Sequence, residues 1–183
     1  MRAAVLSLLL LLAACTTTPV LVQRATGVDA PFAFNGRIAI RQALRRDNAS
    51  VRWMHRDGTD EILFLAPLGQ TVARITRNAQ RVMLETDGKQ YIADDAETLM
   101  QQVMGWHLPL SGLRHWVTGM PQPGAPYERE LDANGQVSVL QQEGWTIRYS
   151  RYAAPGAEAL PLRLSLQREG VEVRLVIDEW EVQ

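Results

Sequence analysis

A single cysteine stands in this chain, at position 15, and its neighbours decide its chemistry. Met1-Arg2 gives a positive start, Ala3 to Leu12 forms an uncharged, apolar run, and small Ala13 and Ala14 stand immediately before the thiol. The run is too short to cross a bilayer as a stable helix, so residues 1–14 read as a signal cleaved before Cys15. The alternative is an ordinary secretory signal with a chance cysteine. A lone exported thiol has no internal disulfide partner. A thioether to diacylglycerol with an acyl group on the new N-terminus removes that liability, and two or more chains anchor stably. These covalent lipids are the only non-protein groups expected; no cofactor is. Thr16 follows, not the aspartate that marks inner-membrane retention in some bacteria, so the expected address is the outer membrane.

The remaining chemistry-bearing residues do not assemble into a catalytic pattern. His107 and His115 lie eight apart across a Leu-Pro-Leu break, which is no metal-ligand spacing, and His55 is remote in sequence. Ser111, four before His115, would make a nucleophile–base pair, yet no strand–turn–helix elbow surrounds it, and a helix cap explains it as well. Asp94-Asp95-Ala96-Glu97 is read as a capping box rather than a cation site. No CxxC and no phosphate-binding glycine loop occurs. The expectation is a protein that is not an enzyme and holds no metal. Cleavage leaves 18 basic and 20 acidic side chains; without a basic cluster, nucleic acid is not an expected partner.

Residues 15–31 are polar and small, the acylated start and a flexible tether, and residues 32–183 form one domain. Period-two alternation marks strands at 37–41, 50–55, 61–65, 71–76, 80–86, 89–93, 126–131, 136–141, 145–151, 160–167 and 171–180. Asp57-Gly58, Asp87-Gly88, Asn134-Gly135, Glu143-Gly144 and Glu169-Gly170 supply tight hairpin turns. About eleven antiparallel strands imply a mainly β fold, curled into an open barrel. In the last strand Val171, Val173, Leu175 and Ile177 alternate with Glu172, Arg174 and Asp178, so one face is apolar and needs cover. Two short helices supply it: one capped by Asp94 with the stripe Ala96, Leu99, Met100, Val103 and Met104, ended by Gly105; another capped by Ser111, with Leu113, Trp116 and Val117 on one face.

Phe64-Leu65-Ala66-Pro67-Leu68-Gly69 runs an apolar strand into a turn whose tip is a leucine. Leu68 is either tucked beneath the sheet or deliberately exposed. Five tryptophans and several methionines form an adaptable apolar lining or simply a core.

Taken together, Phe34-x-Gly-Arg-Ile-Ala-Ile40, Trp53, Ala66-Pro-Leu-Gly69, Tyr91-x-Ala-Asp-Asp-Ala-Glu97, Leu108-Pro-Leu110, Leu113-Arg-His-Trp116, Gly119-Met-Pro121, Gly144-Trp145-x-x-x-Tyr149 and Asp178-x-Trp180 resemble the LolB family of outer-membrane lipoproteins. The likeness covers nearly all of the mature chain; residues 41–48 do not match. It implies an eleven-stranded open barrel with a helical lid over a hydrophobic cavity. It further implies a monomer that accepts acylated lipoproteins from the periplasmic carrier LolA and inserts them into the outer membrane. Leu68, between Pro67 and Gly69, matches the family's exposed membrane-insertion leucine. The acyl-chain cavity is expected to be lined by Trp53, Leu63, Leu65, Ile75 and Met83 from the strands and by Leu99, Val103, Met104, Leu113 and Trp116 from the lid. The inward parity of the early strands is open. An assembly lipoprotein that docks protein partners without a cavity, and a lipid-modifying enzyme, are the competing readings.

Overall fold

The structure, a computed structural model, describes residues 23–27 and 29–181. The signal, Cys15 and the first part of the tether lie outside the described residues. Eleven strands follow one another: β1 (Phe32–Gln42), β2 (Arg45–Arg56), β3 (Thr59–Leu65), β4 (Thr71–Arg77), β5 (Val82–Thr86), β6 (Lys89–Ala93), β7 (Tyr127–Leu131), β8 (Val137–Gln142), β9 (Trp145–Tyr152), β10 (Pro161–Arg168) and β11 (Val171–Trp180). Helices α1 (Ala96–Met104) and α2 (Leu110–Trp116) stand between β6 and β7. Every pairing is antiparallel, and the order is β6-β5-β4-β3-β2-β1-β11-β10-β9-β8-β7. The first and last strands thus meet at the centre, while β6 and β7 are the edges of an open sheet. Both edge strands are five residues long, and β7 is exposed throughout with three charges, which discourages pairing with another chain.

Hairpin turns hold the register. Asp57-Gly58, Asp87-Gly88, Glu143-Gly144 and Glu169-Gly170 all have positive φ at both residues, the twist that two-residue hairpins require. At Gly36 the β1–β11 register shifts, and a Cβ there would collide with the carbonyl oxygen of Val176. That close approach explains the glycine in the Phe34–Ile40 motif.

Register also carries one apolar face across the sheet. Leu84 opposes Ile75, Ile75 opposes Ile62, Ile62 opposes Trp53, and Trp53 opposes Phe34. On the other half Ile38 opposes Leu175, then Leu164 and Tyr149. All these side chains are buried. The outer face carries ion pairs such as Arg37–Asp178, both partners well exposed, which contribute little.

The helices close over the apolar face, with two differences from the expected caps. Asp95, not Asp94, caps α1, accepting from the Thr98 amide at 2.7 Å; Gly105, at φ 72°, closes it through its own N–H to the Gln101 carbonyl. Glu97 accepts from the Ser111 amide at 2.8 Å, so it ties α2 to α1. Helix α2 begins at Pro109 with no side-chain cap; the Ser111 hydroxyl instead accepts from Arg77. Within the segment read as a flexible tether, residues 23–24 lie against the barrel. Gln23 bridges Ala159, and the Arg24 guanidinium reaches the carbonyls of Thr118 and Ala157 and the Glu158 carboxylate.

Candidate functional site

The turn between β3 and β4 is built to project its tip. Proline at the second position and glycine at the fourth suit a tight turn. Gly69 donates to the Ala66 carbonyl and Ala66 to that of Gln70, both at 2.8 Å, so backbone bonds close the turn. Leu68 is 89% exposed. Of the two readings of this leucine, the exposed one is the structure.

Beneath the lid, Trp53, Ile75, Leu99, Leu113 and Trp116 are all buried in the common apolar cluster. Val103 and Met104 are half-buried at its margin. Leu63, Leu65 and Met83 are not inside. Leu63 opposes Arg52 and Arg74, and Leu65 opposes Ser50, which puts both on the outer face; the inward residues of β3 are Asp60, Ile62 and Phe64. Met83 likewise faces outward, opposing Thr76 and Ile92, with its sulfur accepting from Gln90; Val82 and Leu84 point inward. In both strands apolar residues occupy consecutive positions, and the strand partners decide which go inside.

Tryptophans clamp the helical segment to both halves of the sheet. Trp106, in the link between the helices, donates to Asp47 on β2 at 2.9 Å and meets the Phe64 ring edge-on at 5.1 Å. Trp116 donates to Gln142 on β8, packs near Trp145, and its carbonyl accepts from Tyr149 on β9. Gly112 makes room for the Trp116 ring, since a Cβ there would stand 2.5 Å from it. The hollow expected between sheet and lid is therefore occupied by the chain's own side chains: Ile62, Ile75, Leu99, Met100, Leu110 and Leu113 are each at most 4% exposed.

Open space lies at one end of the barrel instead. A recess of about 560 Å³ is bounded by Phe32, Leu160 and Trp180 from the barrel, by Met120 and Pro121 after α2, and by the 23–27 segment crossing it. Beside it is a polar knot that sequence reasoning missed. The Asp60 carboxylate, 1% exposed, accepts from the Trp53 indole at 2.9 Å and from Arg77 at 2.7 and 3.0 Å, and one oxygen meets His55 Nδ1 at 2.9 Å. His55 Nε2 lies 3.0 Å from Asp29, which also meets Arg114 at 3.4 Å, so the knot ties the N-terminal segment to the barrel. Burial pushes the Asp60 carboxyl up, but the bonds from His55, Trp53 and Arg77 and the arginine's charge more than offset this and hold it below its ordinary range. Burial, helped by the positive charge of Arg114, lowers His115 to about 4, so it is neutral at neutral pH and its Nε2 accepts from Arg114 at 3.3 Å. The signal for the knot was one acidic residue, Asp60, at an inward position of an apolar strand.

The model of the family described as outer membrane lipoprotein LolB matches residues 30–180. The outer-membrane lipoprotein LolB of Chromobacterium violaceum is 40% identical, covering 98% of both chains. That of Nitrosomonas europaea is 37% identical over 98% of this chain and 92% of its own. Among solved structures, a LolA superfamily protein of Nitrosomonas europaea superposes with a TM-score of 0.50 at 10% identity, covering 87% of this chain and 88% of its own, a likeness of fold alone. Domain-wide identity, the open eleven-stranded sheet and the projecting Ala66–Gly69 turn agree, and this chain belongs to the LolB family of outer-membrane lipoproteins.

Proposed function

We propose that this protein takes acylated lipoproteins from a LolA-like periplasmic carrier, shelters their acyl chains between sheet and lid, and inserts them into the outer membrane. It works as a monomer tethered by lipid on Cys15 after removal of residues 1–14. The observation that carries the reading is Leu68, a solvent-exposed leucine at the tip of a hydrogen-bonded turn, where a protein without an apolar target places a polar residue. Pro67 and Gly69 set its geometry, and Leu68 is the group that touches lipid.

The chemistry of the cargo supports this assignment. Three acyl chains carry several tens of methylenes at about 0.8 kcal/mol each, too many to cross water unprotected. Passage without an energy source runs downhill, from carrier to receiver to bilayer, so the receiver holds acyl chains only moderately. A lining of Leu99, Met100, Leu113 and Trp116 on short helices is apolar and yields to cargo of any sequence.

The test is transfer. A purified carrier–lipoprotein complex is mixed with the full-length protein in vesicles, and cargo is followed by sedimentation with the membrane. Delivery that depends on this protein is the expected result. Cargo remaining on the carrier, or reaching vesicles equally well in its absence, refutes the proposal.

A further inference from the structure

The turn joining β1 to β2 consists of Ala43 and Leu44, and it departs from every other two-residue turn in the sheet. The others use aspartate or glutamate followed by a glycine at positive φ; here Ala43 takes a φ of 51°, as the first residues of those turns do, but the second position is Leu44, without the positive φ of those glycines. Leu44 is fully exposed. The strands leading to it overhang: β2 continues five residues past Ser50, where its pairing with β3 ends. That is roughly 16 Å at the usual strand rise. Because β2 leaves this rim and β3 returns to it, Leu44 and Leu68 share one end of the sheet. Three arginines, Arg41, Arg45 and Arg46, flank Leu44, with Asp47 on the same hairpin and Glu172 on β11 as their acidic neighbours. Arg41 and Arg45 meet Glu172 and Asp47 at 2.6 and 2.7 Å, but both guanidinium groups are more than half exposed and free to exchange a carboxylate for a phosphate. The same hairpin grips the lid link, through Asp47 to Trp106 and Gln42 to the His107 amide.

We propose that this hairpin tip is a second bilayer contact: Leu44 enters the acyl region while Arg45 and Arg46 bind the phosphates of anionic phospholipid. It rests on the reading of Leu68 as a membrane-contact residue and adds a site apart from that turn. The choice of an anionic bilayer over a protein partner follows from the combination of one solvent-exposed apolar tip with surrounding arginines, a pattern that suits a headgroup layer over hydrocarbon. Contact there places the membrane directly against the segment holding Trp106, and thus next to the lid.

Photo-crosslinking of the full chain tests it. A benzophenone side chain is placed singly at position 44, at 68, or at 134 in the β7–β8 turn on the opposite rim, and the protein is reconstituted in phosphatidylethanolamine–phosphatidylglycerol vesicles or in phosphatidylcholine vesicles. The expected result is phospholipid adducts from 44 and 68 but not 134, with the position-44 adduct falling at least several-fold in phosphatidylcholine or when Arg45→Glu and Arg46→Glu are combined. Adducts from 68 without any from 44 overturn this proposal and leave the Leu68 reading standing; adducts from neither remove both. A position-44 adduct indifferent to lipid charge overturns the phosphate-binding role. Crosslinks from 44 to added carrier in place of lipid assign the tip to a protein partner and overturn it as well.

Discussion

Replacing Leu68 by glutamate separates folding from delivery. Leu68 is 89% exposed, and its turn is held by backbone bonds that a glutamate leaves in place, so stability should change by no more than about 0.5 kcal/mol. Delivery loses what the leucine gains in the bilayer. Complete transfer of a leucine side chain out of water is worth roughly 1.5–3 kcal/mol. A factor of ten corresponds to about 1.4 kcal/mol, so the leucine alone accounts for roughly ten- to one-hundred-fold in the insertion step, and the carboxylate adds a desolvation cost. The assay follows cargo from carrier to vesicles by single-turnover sedimentation, with cargo binding to the variant measured alongside by co-purification. Near-normal cargo uptake with delivery slowed at least tenfold is the expected pair. A Leu68→Glu protein that delivers at the native rate refutes the reasoning, as does one that fails to take cargo while remaining folded.

Three further outcomes follow from the geometry. Asp60→Ala leaves Arg77 and His55 facing an empty position and should lower stability by about 3–5 kcal/mol in chemical denaturation, whereas a value under 1 kcal/mol would show that the knot is dispensable. His115 has a folded-state value near 4 against an unfolded one of 6.5, so the unfolded chain takes the proton first and stability falls as pH drops through that window. The loss at pH 5 is about 2 kcal/mol, and His115→Phe should abolish that part of the pH slope in melting experiments. Ile62→Ala should cost roughly 2–5 kcal/mol as a fully buried truncation, while Leu63→Ala, on the outer face, should cost clearly less; equal costs would contradict the strand's parity.

Where the sequence was legible and where it was not has a physical pattern. Hairpins were legible because Asp-Gly and Glu-Gly pairs relieve positive φ locally, without information from elsewhere. Strand β11 was legible because Val, Leu and Ile alternate with charges along it. In β3 the run Ile62-Leu63-Phe64-Leu65 lacks alternation, and its parity is set by Trp53 and Ile75 on its neighbours. The Asp60 knot draws on positions 29, 53, 55, 60 and 77, which only the folded sheet brings together. At the first helix the cap expected at Asp94 falls one residue later, on Asp95, and Glu97 bonds the next helix; which of two adjacent aspartates caps depends on where the chain enters the helix from β6. The hairpin carrying Leu44 contains no turn residue to announce it.

The buried side chains beneath the lid set the terms on which the proposed function could hold acyl chains. On the proposed reading, a chain of about sixteen carbons entering beneath the lid gains roughly 12 kcal/mol at 0.8 kcal/mol per methylene. It must displace side chains already buried there. Leu99, Met100, Leu110 and Leu113 return to water at about 1.5–3 kcal/mol each, roughly 6–12 kcal/mol together. The exchange leaves at most about half of the gross gain, so on this reading a chain is held less tightly than its methylenes alone would hold it and passes downhill to a bilayer, where all of them are buried. A permanently open cavity would bind more tightly and release more slowly. If acyl chains enter there, the tryptophan bonds to Asp47 and Gln142 oppose them, and Trp106→Phe or Gln142→Ala should raise the cargo that co-purifies with the protein and slow its transfer to vesicles; unchanged co-purification would refute this.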